Sequence, residues 1–238
     1  MSFSLVAGLG NPGRVHEGTR HNLGWVVLDA FARRHGLAWR LAPEFKAEVA
    51  RWETGAGPVW LAKPQTFMNA SGESVGALAR YFKAAPESVI AVYDDLTIDL
   101  GLLKVSAGGS AGGHNGVDSL IRHLGSGFVR YRLGIGPKRP AEMDLADFVL
   151  ARFPPDQFVV VSEKTESFVQ GLELLLTRGL DSTFLHGVTR DSLLTLARDL
   201  GHAVEERVFT VEEMLEWVRD GEAALSGTAA VLAGVGTL

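Results

Sequence analysis

From residue 4 to residue 178, short apolar runs alternate with stretches of helical spacing, and the first apolar run empties into a glycine-bearing turn. That alternation constrains the fold more than any other feature of the chain. Residues 4–9 form an apolar run ahead of Gly10-Asn11-Pro12-Gly13, which reads as a buried strand entering a turn. Between residues 19 and 35 the apolar positions Leu23, Val26, Val27, Ala30 and Phe31 follow a helical spacing. Residues 49–54 and 59–62 predict a hairpin about Gly55-Ala56-Gly57-Pro58. A helix over 71–82, strands at 89–93 and 102–106, a helix over 117–124, a strand at 131–135, a polar loop over 137–144 and a closing helix over 162–178 complete the series. Such alternation predicts an α/β domain with three layers, α/β/α.

Composition then narrows the chemistry. Forty-six per cent hydrophobic residues among 238, with 21% charged, predict a globular chain with a sizeable core. There is no cysteine, which excludes disulfides, thiolate metal sites and a cysteine nucleophile. The amino terminus lacks the basic segment of a signal peptide, and no apolar stretch reaches membrane-spanning length, so cytoplasmic residence without membrane contact is expected. The net charge of −5 hides an uneven distribution. Residues 101–140 carry Lys104, Arg122, Arg130, Arg132, Lys138 and Arg139 against the single acid Asp118. Residues 184–238 are acidic instead. A local basic surface is what phosphate binding needs, because steering follows the local field. An ordinary solvated basic face would have the same composition. The shift near 183 predicts a complete domain over 1–183 and an appended small α/β segment over 184–238.

Five motifs sit where strands meet helices. Gly8-x-Gly10-x-x-Gly13 matches a dinucleotide fingerprint, but Pro12 and a helical pattern starting only at Thr19 leave no helix inside the motif to hold a pyrophosphate. Turn glycines are the better reading. Thr19-Arg20-His21-Asn22 places a histidine beside that turn, where open α/β sheets bind ligands. A lone histidine is more often a surface or capping residue. Its ordinary pKa of about 6.5 nonetheless suits it to take a proton from water at neutral pH. In Lys63-Pro64-Gln65-Thr66-Phe67-Met68-Asn69 the amide of Asn69 could donate to a developing oxyanion, or simply start a helix. Asp94 and Asp95 end an apolar strand, where a carboxylate either caps a turn or holds a histidine in one tautomer. The stretch Gly108-Gly109-Ser110-Ala111-Gly112-Gly113-His114-Asn115-Gly116 lets backbone approach a ligand, with amides at a following helix start forming an anion site. It lacks the Gly-Lys-Ser/Thr of a Walker loop. No spacing of metal ligands is apparent, so neither metal nor cofactor is expected.

Taken in order, GLGNPG, TRHN, KPQTFMN, YDDL, GGSAGGHNG and RLGIG make residues 1–183 resemble bacterial peptidyl-tRNA hydrolase. The resemblance implies a mixed twisted sheet, peptidyl-tRNA as substrate, a monomer, and release of free tRNA by hydrolysis of an ester. It makes His21 the general base, oriented by Asp94, with Asn11 holding water at the scissile region. Asn69 and Asn115 would bind peptide backbone and stabilise the oxyanion. Met68 and Phe67 would line the cleft, His16 its rim, and His114 the loop that clamps the 3′ end. Arg132 would hold the tRNA 5′-phosphate, helped by Lys104. Three departures stand out. His16 replaces a frequent tyrosine, Ser106 replaces a second lysine, which implies weaker tRNA affinity, and residues 184–238 leave the family's pattern. That last segment resembles the end of a fold-type IV aminotransferase, with 187–189 and 227–229 as phosphate-cradling turns. The Schiff-base lysine of such an enzyme is missing. The competing reading is a non-catalytic RNA-binding relative of the same fold.

Overall fold

The computed structural model describes residues 3–55, 57–140, 142–178, 224–227 and 230–234. Seven strands form one mixed sheet: β1 (Leu5–Gly8), β2 (Arg40–Ala42), β3 (Ala47–Thr54), β4 (Gly57–Pro64), β5 (Val89–Asp99), β6 (Leu103–Ala107) and β7 (Val129–Gly136). Their spatial order is β2-β3-β4-β1-β5-β7-β6. The inner neighbours β4, β1, β5 and β7 run parallel, whereas β2–β3, β3–β4 and β6–β7 pair antiparallel. Every residue of β1 is buried, as expected of a parallel strand covered on both faces.

The helices are α1 (Leu23–Arg34), α2 (Ser71–Phe82), α3 (Asn115–Leu124), α4 (Leu145–Leu150) and α5 (Pro155–Arg178). Alternation along the strands divides the core. Leu5 and Ala7 of β1, with Val89 and Ala91 of β5, pack with Val75 and Leu78 of α2 and Val117 and Leu120 of α3. Tyr131 of β7 lies against α5, where its buried hydroxyl donates to the Phe168 carbonyl at 2.6 Å. That bond answers the cost of burying the phenol, whose pKa burial raises.

Two glycines set how closely the helices approach. A Cβ on Gly24 would lie 2.3 Å from the Val92 carbonyl oxygen, so α1 can sit on β5 only without one. A Cβ on Gly72 would meet the Ser119 carbonyl at 2.1 Å, and α2 and α3 pack at that contact. The glycines of the dinucleotide-like motif open no helix: Gly13 has φ 101° and a 3-10 turn, Arg14–His16, follows it.

Several boundaries differ from the sequence reading. The helix expected over 19–35 is a 3-10 turn, Arg20–Asn22, followed by α1. β5 continues past Tyr93 to Asp99, α5 begins at Pro155, and β2 and α4 were not anticipated. The fold divides into two units, Met1–Thr177 and Arg178–Leu238. In the second, β8 (Ala224–Gly227) and β9 (Ala230–Gly234) pair antiparallel. The expected boundary at 183 and the turns at 187–189 and 228–229 lie outside the described residues. No helix among the described residues is long and apolar enough to cross a membrane.

Candidate active site

The carboxyl ends of the parallel strands open onto a cleft of about 760 Å³. Open α/β sheets bind ligands there because successive connections leave the sheet on opposite faces. The loop after β1 brings Asn11, the 3-10 turn Met68–Ala70 after β4 brings Met68 and Asn69, β5 brings Asp94, and the α3 entry brings His114 and Asn115.

Asp94 is 2% exposed and is the hub of the site. His21 Nδ1 lies 2.9 and 3.0 Å from its two carboxylate oxygens, and His114 Nε2 lies 3.2 Å from Oδ1. Burial alone pushes the Asp94 carboxyl up. The neighbouring His21 charge and the hydrogen bonds from His114 and His21 outweigh it and hold the carboxyl well below the usual range.

The hydrogen bonds also fix both rings. Nδ1 of His114 caps α3 by accepting the Gly116 and Val117 amides at 3.1 and 3.2 Å, so its proton must sit on Nε2, which donates to Asp94. With Asp94 accepting at Nδ1 of His21, the lone pair of His21 is left on Nε2. That nitrogen has no partner among the described residues. His21, Asp94 and His114 could offer three ligand atoms to a metal ion, all within 4.8 Å of one another. The capping bonds oppose this, because a metal on His114 Nε2 would displace the proton that Nδ1 is placed to enforce.

Asn11 is fixed as tightly. Its backbone N–H donates to Asn22 Oδ1 and its carbonyl accepts from Asn22 Nδ2, both at 2.9 Å. Its own Oδ1 accepts the Met68 amide at 2.7 Å. The network therefore assigns the side-chain orientation and leaves Asn11 Nδ2 as a donor at the cleft. Asn69 and Asn115 line the same cleft with exposed side chains. Phe67 is 62% exposed on its rim. His16 meets the edge of Phe67 with ring centroids 6.3 Å apart and is not itself part of the wall.

The basic end is more heavily paired than its composition implied. Arg132 Nε donates to Asp95 Oδ2 at 2.7 Å and Nη2 to Thr97 Oγ1 at 3.3 Å, which leaves Nη1 open. The Asp95 carboxyl, pushed up by burial, is held below its ordinary value by hydrogen bonds from Thr97 and Arg132. Lys104 stands opposite Arg132 in the β6–β7 register and is exposed, outside the cleft wall. Arg130 is committed to the glycine loop, donating to the Gly109 and Ser110 carbonyls.

The peptidyl-tRNA hydrolase family model matches residues 5–192. The chain belongs to that family. A peptidyl-tRNA hydrolase of Symbiobacterium thermophilum is 45% identical over 179 residues, covering 74% of this chain and 94% of its own length. The mitochondrial peptidyl-tRNA hydrolase of Oryza sativa subsp. japonica is also 45% identical, covering 74% of this chain and 70% of its own. The crystal structure of the Acinetobacter baumannii peptidyl-tRNA hydrolase matches with a TM-score of 0.69 at 32% identity, over 73% of this chain and 88% of that one.

Sequence reasoning on this peptidyl-tRNA hydrolase family member assigned no role to four participants. Asn22 and Arg20 flank His21, and only their neighbourhood pointed to them. Asp95 is taken up by Arg132, a pairing between β5 and β7 that no local spacing reveals. The α4 wall, through Leu145, Ala146 and Val149, lay in a stretch to which the sequence reading gave no element.

Proposed function

We propose that the cleft hydrolyses the ester joining a peptide to the terminal ribose of tRNA, with His21 as base and water as nucleophile. The observation that carries this is the His21–Asp94 pair, whose geometry leaves the imidazole lone pair on Nε2 at the cleft. Nε2 takes one proton from a water held by Asn11, and the resulting hydroxide adds to the ester carbonyl carbon. The carbonyl electrons move to oxygen, where the amides of Asn69 and Asn115 donate hydrogen bonds. On collapse the carbon–oxygen bond to ribose breaks, and the ribose oxygen takes the proton from the His21 imidazolium. The products are a tRNA with its hydroxyl restored and a peptide carboxylic acid, which releases its remaining proton to solvent and leaves as the carboxylate. An ester of this kind needs no serine or cysteine intermediate.

Residues Phe67 and Met68 would hold the acyl portion, with His16 behind Phe67. The glycine loop ending in His114 would close on the 3′ terminus. The open Nη1 of Arg132, with Lys104 opposite, would meet the 5′-phosphate. The reaction is read as metal-free because His114 holds its proton towards Asp94. A monomer suffices, since every residue used comes from one chain. Residues 184–238 are read as an appendage.

The test is release of tRNA from an N-blocked aminoacyl-tRNA. His21→Ala should lower kcat by about 10²–10⁴-fold with tRNA binding intact, as for loss of a positioned base. Substrate lacking the 5′-phosphate should show a raised KM and a shallower salt dependence. Activity of His21→Ala near wild type would remove the base assignment. Binding without turnover by the parent protein would favour the non-catalytic RNA-binding reading.

A further inference from the structure

Immediately before the base lies a buried cation that the chemistry above does not use. Arg20 is 4% exposed, and no carboxylate among the described residues pairs with it. Its Nη1 donates to the carbonyls of Phe148 at 3.1 Å, Ala151 at 3.3 Å and Arg152 at 3.2 Å. Nη2 donates to Gln157 Oε1 at 2.9 Å, and the guanidinium lies 4.2 Å over the Phe148 ring. Burying a charge without a counter-charge is costly, so a residue that merely filled space here would be apolar. Burial lowers the pKa of the guanidinium, yet arginine keeps its proton in proteins and remains a fork of donors.

The carbonyls it gathers lie in and just beyond α4, where a helix leaves its last oxygens without partners. One face of α4 puts Phe148, 1% exposed, beneath the guanidinium. The stripe beside it puts Leu145 and Val149, one turn apart, into the cleft wall, with Leu150 next along. Leu145 and Leu150 are 43% and 41% exposed, an apolar surface turned to the site. Six residues are too few to hold a helix unaided, so the position of this wall depends on its tethers. Those tethers converge on the His21 turn: the Arg20 fork, the Arg20 amide on the Ala151 carbonyl at 3.1 Å, and the Thr19–Arg152 bridge.

We infer that Arg20 is a positioning residue that fixes the apolar α4 wall, through the carbonyls ending that helix, where it meets apolar side chains of the peptide portion of the substrate. This rests on the reading of the cleft as the hydrolytic site. His21 itself is held from the other side, by Asp94 and by the Asn22–Asn11 pair that follows it in the chain. Loss of Arg20 therefore loosens the wall and leaves the base in place.

The experiment uses the full chain and N-blocked leucyl and glycyl esters of a tRNA. Arg20→Met should raise KM for the leucyl ester about five- to tenfold, with kcat within about twofold and little change in KM for the glycyl ester. Hydrogen exchange at residues 146–152 should quicken, and Arg20→Lys, which keeps one donor, should fall between. Val149→Ala, which leaves the clamp intact, should reproduce the leucyl-selective KM rise without the exchange change. If Arg20→Met does not fold, Arg20→Lys decides the matter by the same leucyl-selective KM rise and quickened exchange, both smaller in size. A loss carried by kcat, or an equal KM rise on both esters, overturns the inference. If the parent protein binds both esters without turning them over the hydrolytic reading fails instead, so the two failures are distinguishable.

Discussion

At the scale of residues, one carboxylate organises two histidines, and the two differ by what holds their other nitrogen. His114 spends Nδ1 on the α3 amides, whereas His21 keeps Nε2 open. Asp94→Asn should lower the rate and move the acid limb of the pH–rate profile to lower pH. Removing the negative charge withdraws support from the imidazolium, so the base sheds its proton at a lower pH. An unmoved profile would make Asp94 purely structural. The fold responds on a different scale of acidity. Because the Asp94 carboxyl is held below its ordinary value of about 3.9, its contribution to stability is full above that value and fades only as pH falls through the lower folded one. Acid unfolding followed by circular dichroism should therefore show no full loss of this charge's support until pH falls below the ordinary carboxylate range. His21 and Asp94 could be singled out from the sequence because each sits next to a turn or a strand end, and Asn11 and Met68 through the family resemblance. The second bond on Asp94 could not. His114 reaches it from a different loop, and nothing in Gly113-His114-Asn115 distinguishes a ring that clamps a ligand from one that caps a helix.

At the scale of elements, legibility followed amphipathic pattern and length. α2 carries a clear apolar stripe from Val75 to Ala79, and its limits were read without error. The start of α5 was placed at 162 because the β-branched Val159-Val160-Val161 run disfavours a helical reading, although Pro155 suits a first helical turn. α4 is one and a half turns with an Asp144 cap, too short for periodicity to register. β5 was cut off at Tyr93 because Asp94 and Asp95 interrupt its apolar run; pairing with β7 extends it as far as the active-site carboxylate and beyond. Glycines, easily read as turns, proved to be contacts. Gly72→Ala should cost about 1–3 kcal/mol, since the added methyl must force α2 and α3 apart at the Ser119 carbonyl. Chemical denaturation measures this directly, and a loss below about 0.5 kcal/mol would mean the helix pair yields easily.

At the scale of the whole molecule, the cleft draws its wall from residues between Asn11 and Leu150. Residues 184–238 bring an acidic balance that would oppose a polyanion. Deleting residues 186–238 should leave specific activity within about threefold, with any gain appearing at low salt, where screening is weakest. A well-folded but inactive truncation would assign the stretch to the hydrolase. The sheet order carries a consequence for how the chain comes to be folded. β1, the earliest strand, pairs with nothing near it in sequence: Leu5 aligns with Trp60 on one side and Val89 on the other. During synthesis it leaves the ribosome with both edges bare and waits for β4 and then β5 before any ladder can close. Such long closures slow assembly and leave an apolar strand exposed meanwhile. The newborn protein thus passes through a window in which its future centre is its stickiest segment, and the order of emergence makes β4 the strand that first ends it.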